Sequence, residues 1–402
     1  MRQSSKPLDF DESYYESMRD AVERLIAKGM SPEEAIDAAA EVSGEVLNGM
    51  GPSVAATLIR TSPRMLREHR IRAGRFERHL QRYWGKALDL FYSILVCAEE
   101  AGREFDERNS PATREAGDDV FEVLTGLHAR AIRTAGEVYA LLTQGFPLGA
   151  LARCRTLHEL AVTAVVIAEF GRMPEYPDLA QRFISHRVIA RVADAEVYQT
   201  NAAALGEDPF SEEQMNAWRS EREALISQYG TDFKKDYGWA IPLFGFAPNF
   251  RQLEERAGLD HLRGYYRWAS HEVHSGSRGW SLNTFERVDG SLYRLTGRTI
   301  EGFTEPGTMA ITSLVQTMTF LLTSGNDEAL SPRDLVGCTA VKLLAERCDE
   351  AFLAAETEVA EWIERRDARG SGRFSGPALR VAGKARARVE RIASGLPRPR
   401  LW

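Results

Sequence analysis

The sequence has few cysteines, and none are spaced as a metal-binding knuckle requires. The four cysteines are Cys97, Cys154, Cys338 and Cys348. No two of them form a Cys-x2-Cys pair, and Cys338 and Cys348 are too far apart for half of a zinc site. We therefore expect buried free thiols, and we expect no metal and no other cofactor.

Long apolar segments are also missing. The longest apolar run, 160–168, contains Thr163 and is far too short to cross a bilayer. The first twenty residues lack the apolar stretch of a signal peptide. These features predict a cytoplasmic protein without a membrane partner.

The sequence contains no P-loop, no dinucleotide-binding glycine fingerprint and no kinase signature. The glycine-flanked serine at 276–279 lacks the strand-turn-helix context of a nucleophile elbow. A formal net charge of -7 argues against general adhesion to nucleic acid, but it leaves room for a local basic cleft.

What the sequence does contain is helical periodicity over most of its 402 residues. Ser31-Pro32 and Ser62-Pro63 predict helix starts, and glycine and proline at 48–52 predict a break between them. The pattern after Ser62 continues to about residue 101, and the polar stretch 103–116 predicts a linker.

The strongest helices are predicted at 118–143 and 147–170, joined by a turn with Gly145 as cap and Pro147 as restart. Their dense apolar spacing marks this hairpin as the centre of the core. A packed aromatic loop is expected at 236–249. Further helices are predicted at 177–203, 211–229, 250–257, 259–275, 306–324 and 331–367.

Asp289-Gly290 lies between alternating residues and predicts one small β-hairpin near 284–296. The predicted fold is thus all-α, a multi-helix bundle with at least two-thirds helix and this single insertion. We expect an N-terminal helical segment at 1–62, a main bundle at 63–330, and a C-terminal helix with a basic tail at 331–402.

One candidate site lies on the helix at 147–170, which carries Arg153, Arg155, His158 and Glu159 among apolar neighbours. Arg155 and Glu159 are four residues apart and share a helix face. An ion pair half-buried among apolar residues is costly to keep without further partners. It is either a structural salt bridge to a neighbouring helix or part of a polar site.

A second candidate lies at 270–275, where His271 and His274 fall on one side of a helix. Their spacing is one residue short of the His-Glu-x-x-His zinc motif, so a zinc hydrolase is not indicated. A structural alternative is a pair of helix-end histidines capped by Ser and Gly.

Arg267 and His274 also satisfy the loose Arg-x(4–6)-His pattern of the higher eukaryotes and prokaryotes nucleotide-binding (HEPN) superfamily, which includes metal-independent ribonucleases. In such a site the arginine would hold the scissile phosphate and the histidine would move the proton of the 2′-hydroxyl. Arg64–His69, Arg72–His79 and Arg153–His158 fit as well, so the pattern alone selects no pair.

Three segments, 127–169, 234–240 and 265–279, together resemble the bacterial domain-of-unknown-function family numbered 5677. The shared features are a helical hairpin with a Gly-aromatic-Pro turn, an Arg-x3-Glu helix, a Tyr-Gly-Trp-Ala loop and a histidine-bearing helix. The resemblance covers roughly 80–330. It implies an all-helical domain whose matching polar positions are Arg155, Glu159, His271 and His274, and it implies no activity.

Three functional hypotheses follow. The first is a HEPN-like, metal-independent ribonuclease in stress or phage defence, with RNA as partner. The second is a non-enzymatic interaction protein with a protein partner or a homodimer, and the third is a nucleotide or small-molecule sensor. The first requires that the two helices meet, with a site formed by Arg155, Glu159, Arg267, His271 and His274. Glu159 is then the expected partner of an imidazole N–H.

Overall fold

A computed structural model of the chain describes residues 10–282, 284–286, 292–324 and 331–368. It divides into two compact units, residues 1–76 and 77–402. The sequence had placed its first boundary after residue 62, which lies inside a helix.

The first unit contains helix α1 (Phe10–Ala27) and the beginning of helix α2 (Pro32–Ala116). The predicted start of α2 is confirmed, because the Ser31 hydroxyl accepts a hydrogen bond from the Glu34 N–H. The Glu34 carboxylate in turn accepts one from the Ser31 N–H. This reciprocal capping fixes the first turn of the helix.

The predicted break at 48–52 and the predicted linker at 103–116 are wrong, because α2 continues through both. Inside a helix, glycine lowers the stability by about 1 kcal/mol and proline by about 3 kcal/mol. The many helical turns on either side can offset such local losses. The supposed linker has a buried side, where the ring of Phe105 lies 6.1 Å from that of Phe121. Its charged residues reflect the other, solvated side of the same helix.

The core of the second unit confirms the predicted hairpin of α3 (Asp119–Thr143) and α4 (Pro147–Phe170). The Asp118 carboxylate caps α3 by accepting from the Phe121 N–H, and Gly145 turns the chain with a φ of 80°. Helices α11 (Thr304–Leu322) and α12 (Pro332–Ala368) complete this core, with α11 packed on α3, α4 and α12.

The remaining helices are α5 (Leu179–Leu205), α6 (Glu212–Tyr229), α7 (Ile241–Phe244), α8 (Phe250–Arg256), α9 (Arg263–Val273) and α10 (Ser277–Leu282). Their positions confirm the predicted helices from 177 to 275 within a few residues. The aromatic loop contains a 3-10 turn at Gly238–Ala240 followed directly by α7. Among these helices, α9 packs against α4 and thereby brings the second candidate region to the first.

The all-α class is confirmed. Two short strands, β1 (Thr284–Glu286) and β2 (Leu292–Arg294), pair antiparallel, with Phe285 opposite Tyr293. The predicted Asp289-Gly290 turn lies outside the described residues, as does the basic tail. No helix in the described part of the chain has the length and apolar character needed to span a membrane.

All four cysteines are free, as expected, but only Cys154 and Cys348 are buried; Cys97 and Cys338 are partly exposed. The Cys154 thiol lies 3.2 Å from the backbone carbonyl of Pro306 and so joins α4 to α11. Burial raises the pKa of the Cys154 thiol, which therefore stays protonated.

Candidate functional site

Helix α4 positions the first set of polar side chains. Its buried apolar residues face α3 and α11, which leaves Arg155 and Glu159 on a flank that is only partly covered. Arg153 points elsewhere and pairs with Glu137 of α3 at 2.6 Å. The structural alternative therefore applies to Arg153, which ties the two helices of the hairpin together.

Arg155 connects α4 to the end of α9. Its Nε lies 3.1 Å from Oε1 of Glu159, and its Nη1 donates a hydrogen bond to Nε2 of His274 at 3.2 Å. The two helices therefore meet, and Arg155, Glu159 and His274 come together although more than a hundred residues separate them. The imidazole contact is made by Arg155, whereas Glu159 had been expected to make it.

The tyrosine at the centre of this cluster is Tyr266. Its hydroxyl donates to Oε1 of Glu159 at 2.8 Å, and its ring centroid lies 5.1 Å from Cζ of Arg155. Burial, together with the hydrogen bond to the Glu159 carboxylate, raises the pKa of Tyr266. The phenol therefore remains a hydrogen-bond donor, and it holds the carboxylate that holds Arg155.

The Glu159 carboxylate also affects a second phenol, that of Tyr237. Burial and the nearby Glu159 carboxylate raise the pKa of Tyr237 to about 12. For Arg155 itself, burial is the largest influence and opposes the charged form, but the hydrogen bonds and charges of Glu159 and Tyr266 together outweigh it, so the pKa of the guanidinium is raised. Arg155 is thus a permanent positive charge on the surface of the domain.

Behind this cluster lies a fully buried pair of His158 and Glu254. Nε2 of His158 lies 3.0 Å from Oε1 of Glu254, and both side chains are 0% exposed. Arg263 also binds the Glu254 carboxylate, and Tyr266 and Phe250 pack against the imidazole. A buried carboxylate needs such donors to offset its lost hydration. The His158–Glu254 pair is enclosed, Arg263 is 33% exposed, and the network supports the site from within and holds α4, α8 and α9 together.

His274 lies at the C-terminal cap of α9, where the backbone turns extended and the side chain is exposed. The next helix, α10, packs tightly against this end. A Cβ placed on Gly279 would lie 2.4 Å from the backbone oxygen of His271, closer than any side chain can approach. Gly279 is therefore required for the packing that fixes the chain after His274.

Arg267 and His271 lie on a side of α9 other than the one that Tyr266 packs against α4. Arg267 is exposed and His271 is partly exposed, whereas Tyr266, one position from Arg267, is buried against α4. Among the residues that the structure describes, no hydrogen bond or ion pair joins Arg267 or His271 to Arg155, Glu159 or His274. Their place in a shared site stays a prediction.

The sequence did not single out Tyr266, Glu254, Arg263 or Gly279. Tyr266 lies in an aromatic stretch of the sequence, and its ring is buried. Glu254 and Arg263 resembled the other charged residues of short surface helices, and no spacing linked them to His158. Only the tertiary packing of α8 and α9 on α4 reveals their roles.

The resulting arrangement combines an anion-binding group with a proton acceptor. The guanidinium of Arg155 has further N–H groups that can bind an oxyanion. Nε2 of His274 lies 3.2 Å from Nη1 of Arg155, a group that can only donate, so the geometry places this imidazole nitrogen as a hydrogen-bond acceptor. A guanidinium next to such a nitrogen can hold a phosphate and accept a proton from a neighbouring hydroxyl.

Residues 121–290 match the model of the family described as Family of unknown function (DUF5677). The matched segment includes Arg155, Glu159, Glu254, Tyr266 and His274. The resemblance seen in the sequence is thus supported by a family-model match over residues 121–290. Comparison with curated proteins and with solved structures finds no match.

Proposed function

We propose that the protein is a metal-independent, HEPN-like ribonuclease whose site is formed by Arg155 and His274. The observation that carries this proposal is the 3.2 Å contact between Nη1 of the Arg155 guanidinium and Nε2 of His274, at an exposed helix end. Phosphodiester cleavage next to a 2′-hydroxyl needs these two groups, a fixed cation for the phosphate and a base for the hydroxyl.

In the proposed reaction, a phosphate of the RNA accepts the hydrogen bond that Arg155 otherwise donates to His274. The freed Nε2 of His274 accepts the proton of the 2′-hydroxyl, and the 2′-oxygen attacks the adjacent phosphorus. The bond from phosphorus to the 5′-oxygen breaks, and the leaving oxygen takes a proton from water. The products are a 2′,3′-cyclic phosphate and a free 5′-hydroxyl, and the imidazolium returns its proton to solvent.

Glu159 and Tyr266 are positioning residues in this proposal. Glu159 binds Nε of Arg155, and Tyr266 donates to the same carboxylate oxygen. The guanidinium is thus held from behind while Nη1 faces the substrate side. Such preorganisation lowers the cost of binding the developing negative charge.

Arg267 and His271 enter the proposal as contacts to a neighbouring part of the RNA strand. Arg267 lies two helical turns before His274 on α9, and its guanidinium is exposed. An exposed arginine at this distance suits an adjacent phosphate better than the scissile one. His271 lies between the two and is partly exposed.

The test is cleavage of a labelled single-stranded RNA by the full chain, with EDTA present and no metal added. We expect products with 2′,3′-cyclic phosphate ends, and we expect His274→Ala to slow cleavage by roughly 100-fold or more, as for loss of a general base. His261→Ala is the matched control, because His261 is an exposed histidine of the same region outside the site. Equal cleavage by wild type and His274→Ala, or no cleavage at all, would overturn the proposal.

A further inference from the structure

The first unit, residues 1–76, buries very little apolar surface of its own. Among its described side chains only two apolar ones are buried, those of Ala35 and Ala39. A helical segment of this length needs a larger core to be stable, because burial of apolar side chains supplies most of the free energy of folding. A further surface packed against this unit would supply additional burial.

Four of the exposed apolar side chains form a row along α2. Ile36, Leu47, Leu58 and Met65 are 57%, 51%, 59% and 47% exposed. Their spacings of eleven, eleven and seven residues are close to three, three and two helical turns, so the four side chains share one face. Val54 lies on this face as well, between Leu47 and Leu58. Tyr14 and Tyr15 of α1 line one side of a groove with Leu47, Val54 and Leu58, and Leu47 and Leu58 stay more than half exposed in it. A half-exposed apolar row of this kind is typical of a helix that pairs with a further helix.

Charge is distributed unevenly along the same stretch of helix. Its beginning is acidic, with Glu33, Glu34, Asp37 and Glu41. The later part is basic and exposed, with Arg60, Arg64, Arg67, Arg70, Arg72 and Arg75. Within this basic segment only Arg64 has an acidic partner in the described structure, an exposed pair with Glu68.

We propose that residues 32–75 of α2 pair antiparallel with the same segment of a second copy of this chain. An antiparallel pair places the acidic part of each copy beside the basic part of the other, whereas a parallel in-register pair would place like charges together. The midpoint between the two charged parts falls near Gly51-Pro52, which is where the two-fold axis would lie. The paired helices would cover the apolar row of both copies over about 65 Å.

This inference goes beyond the proposed ribonuclease activity and does not depend on it, because none of its residues belongs to the site around Arg155. The first test measures the mass of the full chain by sedimentation, with two charge-inverted variants. One variant carries Glu33→Arg, Asp37→Arg and Glu41→Arg; the other carries Arg67→Glu, Arg70→Glu and Arg75→Glu.

We expect the wild type to be a dimer, and each variant alone to dissociate with a constant at least about tenfold weaker because like charges then face each other. An equimolar mixture of the two variants should form a heterodimer, since acidic and basic helices face each other again. All six positions are exposed, so circular dichroism of each variant should match that of the wild type. A monomeric wild type, or a mixture that does not recover the dimer, would overturn the inference.

The second test fixes the direction of pairing by disulfide crosslinking. Val54→Cys lies near the proposed axis and should crosslink to itself between copies, whereas Ile36→Cys should not. The wild-type chain, with its own four cysteines, measures the background. Self-crosslinking of Ile36→Cys would show a parallel pair. The variant with inverted arginines could also stay dimeric and lose binding to RNA, which would show that the basic segment is a nucleic-acid surface. Self-crosslinking of Ile36→Cys and a dimer that persists with inverted arginines would each refute the antiparallel pair.

Discussion

At the scale of single residues, the positioning role of Tyr266 can be separated from its packing. Tyr266→Phe keeps the ring beneath Arg155 but removes the hydroxyl that binds Glu159 at 2.8 Å. We expect a loss of about 1 kcal/mol in the free energy of unfolding, as for one hydrogen bond. If the proposed activity is correct, cleavage should fall more than this loss of stability explains, because Arg155 is then less well fixed.

The measurement is single-turnover cleavage together with urea unfolding of the same protein. Tyr265→Phe is a useful comparison, because it removes a hydroxyl from the neighbouring position of the same helix. Unchanged cleavage by Tyr266→Phe would show that the Glu159–Tyr266 contact serves stability alone.

The buried network offers a sharper residue-scale prediction. Glu254→Ala leaves His158, which is fully buried, and Arg263 without their shared acceptor. We expect the free energy of unfolding to fall by roughly 3 to 5 kcal/mol, the usual cost of breaking a buried charged pair.

The control is the next residue, Glu255, which pairs with Arg251 on the surface and is 47% exposed. Glu255→Ala should change stability by less than about 1 kcal/mol, because exposed pairs contribute little. Urea unfolding of both variants tests the contrast, and equal values for the two would show that the Glu254 network is not a determinant of the fold.

At the scale of elements, the tight packing of α10 on the end of α9 makes Gly279 a test of how His274 is held. Gly279→Ala places a methyl group 2.4 Å from the His271 carbonyl oxygen and must displace α10. We expect the domain to stay folded, since the contact lies at its periphery, and we expect cleavage to fall because His274 loses its position next to Arg155.

Gly264→Ala on the neighbouring helix α9 is the matched control, because a Cβ there meets nothing within 4 Å. That change should be neutral or stabilising by up to about 1 kcal/mol, as alanine is the better helix former. Circular dichroism and the cleavage assay separate the two variants. A Gly279→Ala protein with wild-type cleavage would show that α10 has no influence on the site.

The elements also show which sequence signals decide a fold. Asp118, Gly145 and Pro147 each act within a few residues, so the α3–α4 hairpin could be predicted with its boundaries. Gly51 and Pro52 also act locally, yet α2 continues through them. A long helix can offset a local loss of stability that would end a short helix. The polar stretch at 103–116 was wrongly interpreted for a related reason, as a helix needs only one buried side, here marked by Phe105.

At the scale of the whole molecule, the site was only partly predictable. Arg155 and Glu159 could be recognised because a charged pair on an apolar helix requires an explanation, and His274 because of the family resemblance. Glu254 and Arg263 could not, because their importance arises only where three helices meet. A single sequence reveals polar residues that burial makes costly, but it does not reveal which distant residue offsets that cost.

The last prediction concerns the stability of the whole second unit, whose core is α4. Val165 is 1% exposed, and an aspartate there would bury a charge without a partner. We expect Val165→Asp to lower the free energy of unfolding by more than about 4 kcal/mol, a loss that only such severe core changes produce. Because Arg155 and His158 lie on the same helix, the site should be lost together with the fold.

Val197→Asp is the matched control, the same substitution on a helix of the same unit at a residue that is 66% exposed. It should keep the wild-type melting temperature within a few degrees, because surface changes usually alter stability by less than about 0.5 kcal/mol. Thermal unfolding followed by circular dichroism at 222 nm measures both. If Val165→Asp and Val197→Asp had the same melting temperature, α4 would not be the centre of the core. The polar residues of α4 could then not be interpreted as groups held at a fixed position.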